Sequence, residues 1–275
     1  MNAFEVIVAW LQGETEAPAI FGWYHGFCVL AVTAFTVFLC LRYRDSDEKT
    51  VRRILLFAWI AMLIVESYKQ LVFSMDVEDG AAVWGYTWYA FPYQFCSTPI
   101  YVLPFAIFCK EGRVRTAALS FMMSFAFFGG LAVMVYPGDV YMAMIGINVQ
   151  TMVHHGLQVV LGSYLLVRYR HRLGLRHFLS GACTFAVTVA VALALDIGVY
   201  HALAARFEDI PTFNMFFISP YFDCTLPILE LVYRNVPYPV FLMIYLVGFC
   251  LAAALVYMAG RGITALAGGR HAAEK

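Results

Sequence analysis

Charge is what this sequence has least of. Only 13% of its 275 residues are Asp, Glu, Lys or Arg, against 62% hydrophobic residues, and the two signs balance at 18 each. Soluble domains carry about 25% charged residues, so the composition excludes an ordinary soluble fold. Without net charge there is no global electrostatic case for nucleic acid, and the basic residues form short clusters between apolar runs instead of a patch. No nucleic-acid partner is expected.

Other features are missing too. Five of the seven cysteines (Cys28, Cys40, Cys96, Cys183, Cys250) lie within apolar runs, Cys109 borders one and Cys224 falls in a loop, so there is no disulfide framework. Residues 1–18 contain Glu5, Glu14 and Glu16 but no Lys or Arg, which excludes the basic start of a signal peptide. Residues 1–17 are read as a short external amphipathic segment, with Phe4 to Leu11 lying on the membrane surface. Repeats and low-complexity stretches are absent, so residues 1–275 form a single domain. Neither an HExxH nor a CxxC pair occurs, so His154 and His155 with Glu66 or Asp196 make only a weak metal set, and neither metal nor cofactor is called for. The last apolar run has no Lys, which excludes a retinal Schiff base there.

What the sequence does have is apolar length. A spanning helix needs about 20 mainly apolar residues, and seven stretches qualify: Ala19 to Leu41, Ile54 to Met75, Trp84 to Cys109, Thr116 to Val135, Asn148 to Val167, Phe178 to Leu203 and Pro239 to Gly260. Arginine and lysine collect in the connections on one side: Arg42, Arg44, Lys49, Arg52 and Arg53; Lys110, Arg113 and Arg115; Arg168, Arg170, Arg172 and Arg176; and Arg261, Arg270 and Lys275 in the tail 261–275. The opposite side has only Arg206 and Arg234. Basic residues are retained in the cytoplasm, so the expectation is an all-α membrane protein, a multi-pass seven-helix bundle of the cell membrane with its N-terminus outside and its C-terminus cytoplasmic. The external connection 204–238 is itself apolar at Met215 to Ile218, so it is expected to lie over the outer mouth or dip back as a cover. Leu226 to Arg234 reads as a short helix with Glu230 and Arg234 paired.

Ionisable and amide side chains inside spans mark sites, and here they gather in the outer half. The second span offers Glu66 and Lys69, three apart and able to pair on one helix face. This pair reads either as a packing lock or as a proton- or carboxylate-handling site. On the fifth span Gln150, His154 and Gln158 recur every four residues as one polar stripe, with His155 about 100° away. His154 is therefore either a hydrogen-bonding strut or a general base oriented by Gln150 or Gln158. The third span reads Tyr93-Gln94-Phe95-Cys96-Ser97-Thr98-Pro99 between Pro92 and Pro104. Pro99 leaves the Phe95 carbonyl without its helical donor. Cys96 sits beside that break near mid-membrane; alone it would be an inert small hydrophobe, but a histidine nearby would make it a nucleophile. Gln94 lies about 200° round the helix from Cys96. Ser97 and Thr98 are nearer, either as oxyanion donors or as caps for freed carbonyls. Asp196 on the sixth span completes the set.

The run Phe91-Pro92-Tyr93-Gln94-Phe95-Cys96-Ser97-Thr98-Pro99-Ile100-Tyr101 resembles the Leu-Pro-x-x-x-Cys-x-x-Pro segment of the YwaF-type bacterial membrane proteins, with Phe91 where Leu is usual. Asn214 and Val236-Pro237-Tyr238-Pro239 resemble that family's signatures around the last loop, departing from its Gly-Pro-Trp-Pro. The family is similar in turn to transmembrane protein 164 of animals, an acyltransferase that remodels ether phospholipids. The resemblance implies a Cys nucleophile and a His base at Cys96 and His154, with membrane lipids as substrates. Two rivals remain: a non-enzymatic small-molecule binder, receptor-like or transporter-like, whose polar cavity is lined by Glu66, Lys69, Gln94, His155, Asp196 and Asn214, and an intramembrane lipid hydrolase using the same dyad. Oligomeric state, lipid class and acyl preference are not encoded in any visible pattern.

Overall fold

A computed structural model describes residues 3–13, 15–78 and 81–273, and all of their side chains except those of Phe4, Val77, Glu78 and 266–273. Glu14 and Lys275, used above, lie outside the described residues. The chain forms α1 (Ala3–Leu11), α2 (Trp23–Tyr43), α3 (Glu48–Val72), a hairpin of β1 (Met75–Glu78) and β2 (Ala81–Trp84), α4 (Pro99–Phe108), α5 (Arg113–Phe121), α6 (Phe127–Val135), α7 (Ile145–Arg168), α8 (Leu175–Ala204), α9 (Leu229–Asn235) and α10 (Tyr238–Ala273). A π-helical turn at Met122–Ala126 joins α5 to α6 without a break.

Burial is inverted relative to a soluble protein. Phe27, Leu30, Phe57, Val187 and Leu255 are exposed, whereas Ser120, Ser124, Asn148, His154, His155, Gln158 and Asp196 are buried. Apolar side chains on the outside and hydrogen-bonding ones within suit a hydrocarbon solvent. Among the described residues five helices are long and apolar enough to cross a membrane: α2, α3, Arg113–Val135, α8 and Tyr238–Ala265 of α10. The protein is thus an all-α membrane protein, apart from the short hairpin. α7 has the length but not the hydropathy, because its amides and imidazoles dilute it. It is wrapped by α2, α3, α6 and α10, so those groups face protein.

The stretch Trp84 to Cys109, expected as one helix, is not one. Only Pro99–Phe108 is α-helical; before it the chain passes through short 3-10 turns at Trp88–Ala90 and Phe95–Ser97 joined by extended residues. Pro92 and Pro99 remove donors, and Pro92 holds Phe91 out of the α region at ψ 136, whereas Thr98 before Pro99 stays within it. The carbonyls left over are each met by a side chain. Gln70 donates to Ala90 O (2.7 Å), Tyr101 to Pro92 O (2.7 Å) and Thr98 Oγ1 to Phe95 O (2.7 Å). Trp59 Nε1 donates to Ile100 O (2.8 Å), the carbonyl that Pro104 frees.

At the basic end, Glu48 at the start of α3 accepts from Arg115 Nη2 (2.8 Å), Arg168 Nη2 (3.4 Å) and Tyr169 Oη (2.8 Å), tying α3 to α5 and α7. Burial, and then the Glu48 carboxylate, push the Tyr169 phenol up to about 12, so it stays a donor at all ordinary pH. At the other end α1 lies with Val6, Ile7 and Trp10 exposed and Val8 buried.

The approach of α6 to α7 depends on glycine, as small residues let membrane helices close up. A Cβ on Gly130 would stand 2.7 Å from both Gln158 Cβ and the His155 carbonyl, and one on Gly162 2.5 Å from Phe127 Cβ. Gly130→Val should therefore cost about 1–3 kcal/mol through overpacking, read as a lower thermal midpoint in detergent. Gly198→Ala and Gly248→Ala, which meet nothing within 4 Å, should leave the midpoint unchanged or raise it, since alanine is the better helix former.

Candidate functional site

Cys96 sits in the 3-10 turn just before α4, where the broken backbone turns its carbonyl toward α7. His154 Nε2 lies 2.9 Å and Gln158 Nε2 3.0 Å from that carbonyl oxygen. Both come from the polar stripe of α7, one turn apart, and reach the carbonyl together. A carbonyl only accepts, so the His154 proton is on Nε2 and the lone pair is on Nδ1. That nitrogen is buried and has no hydrogen-bond partner. His155 has the opposite tautomer: its Nδ1 lies 2.8 Å from the Thr151 carbonyl, which leaves Nε2 as the basic nitrogen.

A cavity of about 450 Å³ lies against this junction. Cys96, His155 and Gln94 contribute to its wall, and the rest is mainly apolar, including Phe128, Tyr245 and Phe249. It extends to Tyr136, which is 52% exposed, so it reaches the molecular surface. Around it Phe95, Phe125, Phe185, Phe216 and Phe249 form a continuous aromatic core, with Phe125 and Phe185 stacked at 4.5 Å.

Glu66 and Lys69 pair at 2.7 Å as their spacing predicts. Glu66 also accepts from Gln70 (2.9 Å), whose own oxygen accepts from Tyr86 (2.9 Å). The Lys69 ammonium stands within electrostatic reach of the Cys96 thiol and both imidazoles. The second Glu66 oxygen is buried without a partner.

Other expected residues go elsewhere. Gln150 does not orient His154: it accepts from Thr151 Oγ1 (3.3 Å) and lines a separate groove with Tyr68 and Gly146. Gln94, Asn214 and Asp196 hold the 213–219 loop. Gln94 accepts from Phe216 N (2.9 Å) and donates to Asn214 O (3.0 Å). Asp196 accepts from Met215 N (2.6 Å), and Asn214 spans Ser219 N (2.9 Å) and Asp223 O (3.0 Å). These bonds secure Phe216 and Phe217 in the left-handed region, at φ 58 each, which is disfavoured for bulky side chains. Met215, Phe216 and Ile218 are fully buried, Phe216 and Phe217 line the cavity, and Glu230 and Arg234 pair at 2.6 Å on α9. Ser97 is buried next to the thiol, with which its hydroxyl interacts. Among the described residues no group of three or more His, Cys, Asp or Glu could hold a metal ion. Sequence reasoning did not find Trp59, Gln70 or the cavity's Tyr136 and Tyr245; only the prolines, which signal carbonyls in need of donors, pointed toward the first two.

Fold and site define a helical membrane protein with a half-buried cysteine beside two buried histidines and a buried amide, where the segment before α4 is not helical. Residues 20–258 match the model of the TMEM164 family, and the chain belongs to that family. No curated protein and no solved structure matches it.

Because Gln94 bonds the loop at both Asn214 O and Phe216 N, Gln94→Ala should remove two half-buried hydrogen bonds and cost about 1–3 kcal/mol. Amide hydrogen exchange of 214–219 should accelerate at least about tenfold while α7 stays protected. Unchanged exchange in that loop would refute the tethering role.

Proposed function

We propose that this member of the TMEM164 family is an intramembrane lipid acyltransferase acting through a Cys96 thioester, with His154 as base. The observation that carries the reading is the convergence of His154 and Gln158 on the Cys96 carbonyl, beside a largely apolar cavity with Cys96 in its wall. The Nε2 bond fixes the imidazole on the Cys96 backbone and leaves Nδ1 without a partner, the nitrogen free to act as a base. An apolar cavity open to the surface suits an acyl chain better than a polar ligand.

In the first step the Cys96 thiol gives its proton to His154 Nδ1, and the thiolate attacks the ester carbonyl of a phospholipid. The tetrahedral intermediate collapses to a thioester as the glycerol oxygen leaves with the proton from Nδ1. In the second step the hydroxyl of a lysolipid loses its proton to Nδ1 and attacks the thioester, and the thiolate leaves and is reprotonated. The Ser97 hydroxyl is the oxyanion donor in this reading, since the Ser97 and Thr98 amides already donate to the Gln94 and Phe95 carbonyls. Gln94 is committed to the loop. Thiol and imidazole both rest neutral in low dielectric, so charge arises only during reaction.

The same reading has the chain cross the cell membrane seven times, N-terminus outside, with α7 as one pass and residues 85–108 as another. The non-helical half of that pass is tolerable because it is buried in protein and its carbonyls have donors.

Incubation of the purified protein with an isotopically labelled phospholipid should give a hydroxylamine-labile acyl adduct on Cys96, seen by peptide mass spectrometry and absent in Cys96→Ala. His154→Gln should slow adduct formation by about 10²–10⁴. Transfer to added lysolipid supports the transferase, and release of free fatty acid alone would make it a hydrolase. A wild-type protein without any Cys96-dependent adduct would leave the binder reading.

A further inference from the structure

The helices α2 and α3 are joined by only a short loop, yet they pack on α7 instead of on each other. Between them runs a groove of about 620 Å³, floored by Leu157, Val160 and Leu161 of α7 and walled by Phe35, Phe38 and Phe57. All three phenylalanines are exposed. Toward the basic end the lining changes to Tyr43, Thr50 and Arg53. Tyr43 and Thr50 also line a polar depression of about 530 Å³ made by residues 41–47, so the apolar groove and the polar depression are continuous.

The acids of that depression are already engaged. Asp45 pairs with Arg170 (2.7 Å) and Arg44 (3.2 Å), and the hydrogen bond from Arg170 holds its carboxyl below the usual carboxylate range. Asp47 accepts the Thr50 amide proton at 2.8 Å as the cap of α3 and meets Lys49 and Arg53 only electrostatically. Arg42, stacked 5.2 Å from the Tyr43 ring centre, and Arg53 have no ion-pair partner among the described residues. Two guanidinium groups without an ion-pair partner thus flank the point where the slot turns from apolar to polar.

The geometry points to a binding site for a phospholipid with an anionic headgroup in this slot, its acyl chain along α7 between the phenylalanines and its phosphate between Arg42 and Arg53. The polarity profile along the slot is that of one lipid from tail to headgroup. Guanidinium matches phosphate with paired donors, and a long arginine side chain can follow the groove wall while keeping its charge at the interface. A second copy packed side by side would set the same arginines against each other, and like charges oppose such a contact. The slot shares no lining residue with the Cys96 cavity and does not depend on the acyl-transfer reading. Its floor residues Leu157 and Leu161 flank Gln158, so the lipid would brace the helix that holds the Cys96 carbonyl.

Native mass spectrometry of delipidated protein titrated with phosphatidylglycerol or phosphatidylcholine tests the site. Wild type should bind phosphatidylglycerol more tightly. R42Q/R53Q should weaken phosphatidylglycerol about thirtyfold, two arginines at about 1 kcal/mol each, and change phosphatidylcholine little. R42K/R53K, which keeps the charges, should retain most of the binding and shows that the loop still folds. A61F, which fills the groove and leaves the charges alone, should weaken both lipids. Phosphatidylglycerol binding that survives R42Q/R53Q or A61F overturns the proposal, as does a wild-type dimer that binds neither lipid.

Discussion

The Cys96 carbonyl is the point on which this structure turns. Two prolines make the segment before α4 unable to close its own hydrogen bonds, and an unsatisfied backbone group away from water costs more than the segment can otherwise recover. Thr98 and Tyr101 meet two of the open carbonyls from the same stretch, and other helices bring donors to the rest. His154 and Gln158 serve Cys96, Trp59 serves Ile100, and Gln70 serves Ala90. The polar stripe of α7 follows from this, and so does its central place in the bundle, since its side chains must be surrounded by protein.

That constraint also links structure to chemistry. The bond that satisfies the carbonyl selects the tautomer of His154 and leaves its other nitrogen basic, so a structural need and a catalytic arrangement coincide in one contact. The loop over the cavity is held by the same kind of exchange, with the Gln94 amide pairing to backbone on both sides of Met215. Gln94, which a continuous helix would set about 200° round from Cys96, thus has a task that is visible only because the helix is broken there.

The sequence read correctly wherever the signal was local. The Glu66 and Lys69 pair, the Glu230 and Arg234 pair, the Thr98 cap on Phe95 and the burial of Met215, Phe216 and Ile218 follow from spacing or from apolarity in one stretch of chain. It failed where distant segments compete. Trp84 to Cys109 is apolar enough for a helix, but hydropathy does not register the two prolines. Gln150 shares the stripe of His154, yet a neighbouring threonine and a different groove claim it.

By itself, then, the sequence determined the solvent. Low charge and long apolar runs commit the chain to a membrane, because transfer free energies add residue by residue without reference to the fold. Only tertiary structure decided which carbonyl each buried donor meets, and therefore which face of His154 stays basic and what lines the cavity beside Cys96. Those outcomes depend on the close approach of segments some sixty residues apart, set by glycine at Gly130 and proline at Pro92 and Pro99, and no local sum contains that distance.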